Sequence, residues 1–370
     1  MPSCAADGGG SLAAHPISAQ SRAGSRPVLL CGYYGEHNLG DDALLESLLS
    51  QLPAGVTPLV TAHDETQVQA RFGVATVPRR RLKAVLAALA TCRALVLGGG
   101  SLLQDSTSFK SLLYYAALIS AARLQGKPVL LWAQGLGPLR RRRSRLLVRS
   151  LLPAATAISW RDPESAALAA RLGRRSAWGA DAVWALPCQP WIGAGGAIVI
   201  CWRPTPLLEG EAWRPYLQAL EQLAEQRDRE VIWLPFHRGQ DSGLLAQLRA
   251  DGLIGEGLWR RSREVEALLP SEATALFRGA GLVLAMRLHA LILAGLAGAP
   301  LAALSYDPKV RAAAAAIGCG CVDLAEPEVS ASALLDAWAA ALDQPPAAGA
   351  ITALQQSTAV HHQLLDTLSA

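Results

Sequence analysis

The sequence predicts an α/β protein built from two parallel-sheet domains, and three observations support this fold class. The chain has 370 residues, more than one hydrophobic core usually organises. Hydrophobic residues make up 51% of it and charged residues 17%, so it can bury large cores and does not resemble a disordered chain. From Pro27 onward, short β-rich runs alternate with helical patterns, which is typical of βα units. We therefore expect two domains of roughly 150 residues each.

The β-rich runs divide into two groups, one on each side of a Pro- and Gly-rich segment at 188–196. Strands are predicted in the first half at 27–32, 57–61, 94–97, 128–133 and 155–160, and in the second half at 197–202, 230–234, 281–285 and 300–305. The intervening segment predicts a domain boundary. The predicted order is a disordered leader at 1–26, an N-terminal domain at 27–190, a C-terminal domain at 191–345 and a terminal helix at 346–370.

Charge and cysteine usage exclude several function classes. The formal net charge is only +4, which argues against nucleic-acid binding. The seven cysteines form no C-x-x-C pair or zinc-like cluster, so we expect reduced thiols in a cytoplasmic protein and no metal site. The first 25 residues have no continuous apolar core and do not resemble a signal peptide. No apolar run is long enough to span a bilayer.

Ligands of open parallel sheets collect at the carboxyl ends of the strands, so the strand-to-helix junctions are the candidate sites. The first junction, "CGYYGEHNLGDDALLESLLSQL", places Asn38, Asp41 and Asp42 at the start of a helix. Helix capping alone would explain these residues. Two adjacent carboxylates would repel a phosphate, however, and this favours a site for sugar hydroxyls or a general base.

The second junction, "LVLGGGSLLQD", follows a strand with Gly98, Gly99 and Gly100. Glycines allow a ligand to approach the backbone closely, although tight turns explain them equally well. Leu103 stands where a dinucleotide motif needs its third glycine, no P-loop lysine follows, and "GLGPLR" fails the same dinucleotide test. NAD and ATP sites are therefore disfavoured.

Other cations also follow strands or begin helices. Arg161 ends a strand, and Asp162 and Pro163 open the next helix, so we expect Arg161 to face the cleft. Arg203 and His237 occupy similar strand-end positions, where a lone histidine is more often structural than functional. A basic run begins another helix with Arg140, Arg141, Arg142, Arg143, Arg145 and Arg149. It is either a solvated face or a contact for an anionic lipid headgroup or a pyrophosphate.

The stretch "MRLHALILAGLAGAPLAALSYDPKV" sets three cation-capable side chains among apolar residues. Arg287 and His289 fall at one strand-to-helix junction, and Lys309 falls at the next. Neighbouring strand ends converge, and arginine, lysine and histidine beside two helix N-termini form an anion site. The alternative is that Asp307 neutralises Lys309 while Arg287 and His289 make local hydrogen bonds.

Seven motifs together resemble the polysaccharide pyruvyl transferase family, most closely its CsaB-like members of bacterial cell-wall polysaccharide synthesis. They are "GYYGEHNLGDDALL", "LVLGGGSLLQD", "WAQGLGPL", "ISWRDPES", "LPFHRGQD", "MRLHALILAGLAGAP" and "LSYDPKV", spread over about residues 28–322. The resemblance implies a GT-B-like fold with two Rossmann-like domains facing across a cleft. It also implies phosphoenolpyruvate as donor, bound on the C-terminal domain, and a polymer- or lipid-linked sugar as acceptor.

The resemblance suggests Arg287, His289 and Lys309 as donor contacts. The proposed reaction forms a pyruvate ketal on two sugar hydroxyls, with N-acetylmannosamine as candidate sugar, and requires no metal or cofactor. We expect His289 to act as the acid or to hold the leaving phosphate, and Asp41 or Asp42 to activate the acceptor. Further predicted substrate contacts are Arg161, Asn38, Gly99, Gly100, Arg203 and His237. A nucleotide-sugar glycosyltransferase and a noncatalytic glycan- or anion-binding scaffold remain as alternatives, and the basic run is a candidate contact to the inner membrane face.

Overall fold

The first half of the chain forms one parallel sheet flanked by helices. The computed structural model describes residues 26–106, 108–326 and 329–369, so the predicted leader lies outside the described residues except for Arg26. The elements of this half are β1 (Val28–Tyr34), α1 (Leu39–Ser50), β2 (Pro58–Ala62), α2 (Glu65–Phe72), β3 (Ala75–Pro78), α3 (Leu82–Thr91), β4 (Ala94–Gly98), α4 (Phe109–Leu124), β5 (Val129–Gln134), α5 (Arg142–Leu151), β6 (Ala157–Trp160) and α6 (Pro163–Arg171).

The second half repeats this architecture and continues into a helical C-terminal segment. Its elements are β7 (Ile198–Cys201), α7 (Arg214–Gln226), β8 (Val231–Trp233), α8 (Arg238–Asp241), α9 (Leu244–Ala250), α10 (Glu256–Arg261), β9 (Ser262–Glu264), α11 (Pro270–Arg278), β10 (Leu282–Ala285), α12 (Leu288–Leu296), β11 (Leu301–Ser305), α13 (Pro308–Ile317), β12 (Gly320–Asp323), α14 (Ala331–Ala341), α15 (Ala348–Ser357) and α16 (Ala359–Asp366). Within the described residues, no helix is long and apolar enough to cross a bilayer.

Both sheets have the strand order of a doubly wound fold. The first sheet runs β3-β2-β1-β4-β5-β6 and the second β12-β11-β10-β7-β8-β9, so each contains six strands with its first strand beside its fourth. The topological switch points therefore lie between β1 and β4 and between β7 and β10, where loops leave in opposite directions and open a crevice. The α/β fold class with two Rossmann-like sheets is confirmed.

All nine predicted strands are present, and the sequence missed three others. The missed strands are β3, β9 and β12, each of which lies at a sheet edge and pairs with a single neighbour. Edge strands are short and partly exposed, so they lack the apolar run that marks a central strand. β3 ends in Pro78, and β9 is the charged tripeptide Ser262–Glu264. Segment 188–196 contains no helix or strand, and the domain boundary within it stays a prediction.

Helix α1 joins the two halves through a shared core. It packs against α11 and α12 of the second half. Leu39 and Leu44 of α1 belong to the same buried apolar cluster as Phe236 and Leu291. Burying apolar surface across the junction favours close docking of the two sheets, and it fixes the position of the α1 N-terminus relative to the second half.

The segment predicted as a terminal helix at 346–370 contains two helices, α15 and α16. One residue separates α15 from α16, and α16 packs on β5 and β6 of the first sheet. His361 is fully buried there, with its ring nitrogens 2.9 Å from Ser159 Oγ and 2.8 Å from the Ala180 carbonyl oxygen. Leu365 is also fully buried. This docking partner is distant in sequence, so local helical periodicity could not reveal the break.

Candidate functional site

The candidate site lies where strand-end loops of the two sheets contact each other. The loop after β1 and the loop after β8 are joined by backbone hydrogen bonds. The Leu39 N–H donates to the Phe236 carbonyl oxygen and the Arg238 N–H to that of His37, each at 3.0 Å. Asn38 and His237, both predicted substrate contacts, form an antiparallel bridge between these bonds. The N-terminus of α1 is thereby held against the second half.

The start of α1 carries a capping amide and a carboxyl group with a raised pKa. Asn38 is the N-cap, and its Oδ1 accepts a 3.0 Å hydrogen bond from the Gly40 N–H. Its amide Nδ2 donates to Asp41 Oδ2 at 2.6 Å. Burial raises the pKa of the Asp41 carboxyl to about 6, against the lowering effects of His289 and Arg161. A carboxyl group in this range is suited to general base catalysis near neutral pH.

The imidazole of His289 packs directly on the backbone of α1. A Cβ atom placed on Gly40 would stand 2.1 Å from Nδ1 of His289, so the ring fills the space that any larger residue would need. Its Nε2 lies 3.6 Å from Asp181 Oδ2, which is longer than a hydrogen bond. Nε2 is buried and has no hydrogen-bond partner within the described residues. A ring nitrogen in this position can serve a substrate.

Asp181 is the buried anion that links His289 to Arg161. Its Oδ1 accepts from the Val183 N–H at 3.1 Å, and its Oδ2 accepts from Arg161 Nη1 at 3.1 Å. Burial raises the pKa of the Asp181 carboxyl, but His289 and Arg161 outweigh it and hold the pKa well below its usual range. The carboxylate therefore stays ionised and orients both cation-capable side chains.

Two cations from opposite halves of the chain converge on one hydroxyl group. Arg161 Nη2 donates to Ser101 Oγ at 3.0 Å, and Lys309 Nζ donates to the same atom at 3.2 Å. A Cβ on Gly135 would lie 2.5 Å from Ser101 Oγ, so only glycine leaves room there. The pKa of Lys309 is lowered by burial and then by Arg161. Positive charge concentrated on a neutral acceptor is suited to binding an anion.

The alternative interpretation of Lys309 is met only in part. Asp307 caps α13, and its Oδ1 accepts from the backbone N–H of Lys309 at 2.9 Å. The ammonium group instead reaches across to Ser101. Asp307 therefore serves the helix N-terminus, as cap residues usually do, while the Lys309 side chain belongs to the candidate site.

Arg287 is engaged by a neighbouring carboxylate. Its Nε donates to Asp241 Oδ2 at 3.0 Å, and its Nη2 donates to Asp241 Oδ1 and, at 3.0 Å, to Gln240 Oε1. Asp241 also accepts from the N–H of His237 at 2.8 Å. Burial and the charge of Arg287 lower the pKa of the His237 imidazole, which favours its neutral form. The predicted role of Arg287 as an anion clamp stays a prediction.

Asp42, the second predicted carboxylate, does not join the cluster. It is 1% exposed, and its Oδ2 lies 2.7 Å from Arg71 Nη1. Burial raises the pKa of its carboxyl to about 7, against the lowering effect of Arg71. It lines a small crevice together with Arg71 and Phe236. Of the two carboxylates, Asp41 is the one whose pKa responds to His289 and Arg161.

The predicted glycines and Arg203 have local structural explanations. Gly99 and Gly100 adopt positive φ angles of +71° and +70°, and a Cβ on Gly99 would lie 2.8 Å from Leu44. The N–H of Gly99 donates to the Trp132 carbonyl oxygen at 2.9 Å, so it is already used within the sheet. Arg203 follows β7, and its guanidinium carbon lies 5.0 Å from the ring centroid of Tyr306. Their roles as substrate contacts stay predictions.

Comparison with known proteins then decides the family. Residues 38–308 match the profile of the polysaccharide pyruvyl transferase family. The chain belongs to this family. The matched segment contains all but one of the clustered residues: Asn38, Gly40, Asp41, Ser101, Arg161, Asp181 and His289. The remaining one, Lys309, follows the segment directly. A search of curated proteins found no match.

The fold of this family member is similar to those of nucleotide-sugar enzymes. The UDP-N-acetylglucosamine 2-epimerase of Methanocaldococcus jannaschii superposes with a TM-score of 0.59 at 10% identity, covering 92% of this chain and 99% of that one. The Neisseria meningitidis 2-epimerase bound to UDP-GlcNAc gives 0.57 at 12% identity, covering 92% and 100%. Anabaena Alr3699/HepE with UDP and glucose gives 0.57 at 12%, covering 93% and 100%. At such identities the likeness shows the GT-B-like fold alone.

The sequence alone did not identify two residues of the candidate site, Asp181 and Ser101. Ser101 directly follows the three glycines after β4, so its strand-end position could have marked it. Asp181 lies in "WGADAVWAL", outside every predicted strand and helix. No local signal distinguishes it from a surface aspartate, and only the contacts with Arg161 and His289 identify it.

Proposed function

We propose that the protein transfers pyruvate from phosphoenolpyruvate to two hydroxyl groups of a sugar, forming a cyclic ketal and releasing phosphate. The observation that carries this proposal is the convergence of Arg161 and Lys309 on Ser101 Oγ, at 3.0 and 3.2 Å, beside His289. Family membership supports the same reaction class. The sugar belongs to a cell-wall polysaccharide or its lipid-linked precursor, and N-acetylmannosamine is the first candidate, as in CsaB-like members that prepare S-layer anchors.

Phosphoenolpyruvate carries a phosphate and a carboxylate, and both need cationic partners. Arginine can bind either group through two parallel hydrogen bonds, and lysine adds a mobile point charge. The cluster supplies Arg161 and Lys309, with Arg287 nearby as a third cation held by Asp241. Such a site concentrates positive charge locally while the whole chain keeps a net charge of only +4. A cytoplasmic location supplies phosphoenolpyruvate.

The reaction begins with proton transfer to the methylene carbon of phosphoenolpyruvate. C2 then carries oxocarbenium character, and an acceptor hydroxyl attacks it and gives up its proton to a base. The bond from C2 to the phosphate oxygen breaks next, releasing phosphate. The second hydroxyl attacks C2 and loses its proton, which closes the ketal ring. One proton is taken up by carbon, two leave the sugar hydroxyls, and the remaining proton leaves on the phosphate, so the sequence needs both an acid and a base.

The proposed roles follow from charge and position. His289, whose buried Nε2 has no partner among the residues that the structure describes, acts as the acid or donates a hydrogen bond to the leaving phosphate. Asp41, whose carboxyl pKa burial raises to about 6, activates the acceptor hydroxyl. Arg161 and Lys309 neutralise the donor. Asp181 touches no reacting atom in this scheme and acts as a positioning residue for His289 and Arg161.

Phosphate release provides the test. The purified protein is supplied with phosphoenolpyruvate, with and without a synthetic β-linked N-acetylmannosamine acceptor, and phosphate and ketal product are measured. We expect acceptor-dependent release that His289→Ala reduces by at least about 100-fold. The matched control is His362→Ala, because the His362 side chain is 58% exposed on α16, and this variant should retain wild-type turnover.

Two other results would replace the proposal. If a nucleotide sugar is turned over while phosphoenolpyruvate neither binds nor reacts, the protein is a nucleotide-sugar glycosyltransferase. If glycans or anions bind across a panel of acceptors without phosphate release, it is a noncatalytic scaffold. Near-normal turnover by His289→Ala would remove that residue from the mechanism while leaving the reaction class intact.

A further inference from the structure

The first half of the chain carries a block of positive charge that the proposed reaction does not use. Between Asp105 and Arg161 the sequence contains nine arginine and lysine residues and no aspartate or glutamate. The chain as a whole has a net charge of only +4. The acidic residues that balance this block therefore lie elsewhere in the sequence, and helices α4 and α5 carry cations alone.

Six of these cations lie on α5 or directly before it. The side chains in residues 140–143, together with Arg145 and Arg149, are exposed. Arg145 Nη1 donates to the carbonyl oxygens of Leu139 and Arg140 at 3.0 and 3.1 Å, so it serves the loop. The side chains of Arg140, Arg142 and Arg149 form no ion pair with any residue that the structure describes. We call α4 and α5 with these exposed arginines the basic face.

Several arginines of the second half, by contrast, are paired with carboxylates. Arg260 Nε lies 2.9 Å from Glu256 Oε1, and Arg261 Nη1 lies 2.8 Å from Asp228 Oδ1. Arg263 Nε lies 3.6 Å from Glu230 Oε2. These three arginines have a carboxylate partner that Arg140, Arg142 and Arg149 lack within the described residues.

The position of the basic run is also unfavourable for the helix itself. The N-terminus of a helix carries partial positive charge and favours acidic residues, yet the first turn of α5 contains Arg142, Arg143 and Arg145 and no acid. The carboxylate of Asp105 compensates in part, accepting from the N–H groups of Arg140 and Arg141 at 2.8 and 2.9 Å. A pattern that opposes local stability is expected where function requires it.

Apolar side chains are exposed at the same level of the basic face. Leu146 is 59% exposed and Leu113 is 45% exposed, and each is the fifth residue of its helix. Helices α5 and α4 follow parallel strands and pack side by side, so both leucines lie one turn from the same edge. Arg143 stacks over Phe109 of α4, with its guanidinium carbon 4.1 Å from the ring centroid. Arginines surrounding exposed leucines match an anionic lipid surface, because headgroups take the charge and the interface takes the leucines.

The basic face is also close to the candidate site. The loop between β5 and α5 contains Gly135, which packs against Ser101 and Arg161. Arg140 lies five positions after Gly135, and such a segment spans at most roughly 18 Å. A surface bound at the start of α5 would lie beside the cleft that a membrane-linked acceptor has to enter.

We infer that the basic face docks the protein on an anionic membrane surface, with Arg140, Arg142 and Arg149 contacting lipid phosphates and Leu146 entering the interface. A soluble polyanion would use the arginines alone, and the exposed leucines favour lipid over such a partner. This inference does not depend on the proposed reaction, because its test contains neither phosphoenolpyruvate nor acceptor.

The test is co-sedimentation of the full chain with phosphatidylcholine vesicles that contain phosphatidylglycerol or lack it. We expect binding only to the anionic vesicles, weakening as salt is added. Arg140→Gln/Arg142→Gln/Arg149→Gln should weaken binding by about 100-fold, at about fivefold for each arginine. Leu146→Ser should weaken it by about tenfold, because one apolar side chain no longer leaves water.

The matched control is Arg260→Gln/Arg261→Gln/Arg263→Gln, which changes the net charge equally on the paired surface and should bind like wild type. Thermal unfolding of each variant confirms folding. Equal binding to both vesicle types, no binding to either, or wild-type binding by the α5 variant would overturn the inference. Retention on heparin, together with wild-type vesicle binding by Leu146→Ser, would identify a soluble polyanion as the partner instead and would equally overturn it.

Discussion

Gly40→Ala adds a single methyl group at the N-terminus of α1 and tests the contact on which the candidate site depends. The new Cβ would lie 2.1 Å from Nδ1 and 2.8 Å from Cγ of His289. In a helix of open surroundings, alanine would be the better residue by up to about 1 kcal/mol. Here we expect the opposite result, because the space is occupied by a ring from the other half of the chain.

The size of the effect follows from the distances. Ordinary van der Waals contact begins at 3.4 Å, so the imidazole has to move by about 1.3 Å or the two halves have to separate by a similar amount. Overpacking of this kind costs about 1–3 kcal/mol of unfolding free energy. A displacement of about 1 Å at a catalytic group also costs about 100-fold in rate. Both losses should appear together in Gly40→Ala.

Denaturant unfolding and phosphate release measure the two effects. The control is Gly349→Ala, since Gly349 lies in α15 and a Cβ there meets nothing within 4 Å; it should leave the rate unchanged and raise the unfolding free energy by up to about 1 kcal/mol. A double-mutant cycle with His289→Ala locates the clash, because Gly40→Ala should cost little stability once the ring is removed. Wild-type stability and rate in Gly40→Ala, or an equal stability loss in the His289→Ala background, would refute the proposed clash.

Three further predictions concern carboxylates and their partners. Asp181→Asn should lower kcat by about 100-fold, because His289 loses its orientation. Steady-state kinetics test this prediction, and Asp181→Glu should restore part of the rate. An unchanged kcat in Asp181→Asn would contradict it. If Asp41 is the base, it must be ionised, so activity should be present at high pH and lost as pH falls through about 6. Asp41→Asn should remove this loss from the pH-rate profile. A variant profile of the same shape as that of the wild type, only lower, would contradict the prediction. Arg71→Met leaves Asp42 buried without its partner and should lower the unfolding free energy by about 3 kcal/mol at pH 8, but less at pH 5, because the pKa of Asp42 is about 7. Denaturant titrations at both pH values test this, Arg71→Met with Asp42→Asn should recover stability, and an equal loss at both pH values would contradict it.

Part of the site was predictable because the carboxyl ends of parallel strands lie at one edge of the sheet, and ligands bind at that edge. Residues that follow a parallel strand within a few positions reach the carboxyl edge of the sheet, whatever their distant partners are. Arg161, His289 and Lys309 met this rule, and the structure brings all three within one cluster. Alternating βα patterns likewise predicted the central strands, since apolar runs mark strands that are buried on both faces. The edge strands β3, β9 and β12 lack such a run and escaped detection.

The sequence by itself determined the class of fold, the positions of its central strands along the chain and the kinds of side chain available at the strand ends. It did not determine their partners. Arg287 pairs with Asp241, 46 positions away, and Lys309 with Ser101, 208 positions away. The placement of His289 on Gly40 and near Asp181 was equally out of reach. These contacts depend on how the two sheets dock through α1, and that docking results from apolar burial between distant segments, which local periodicity does not encode.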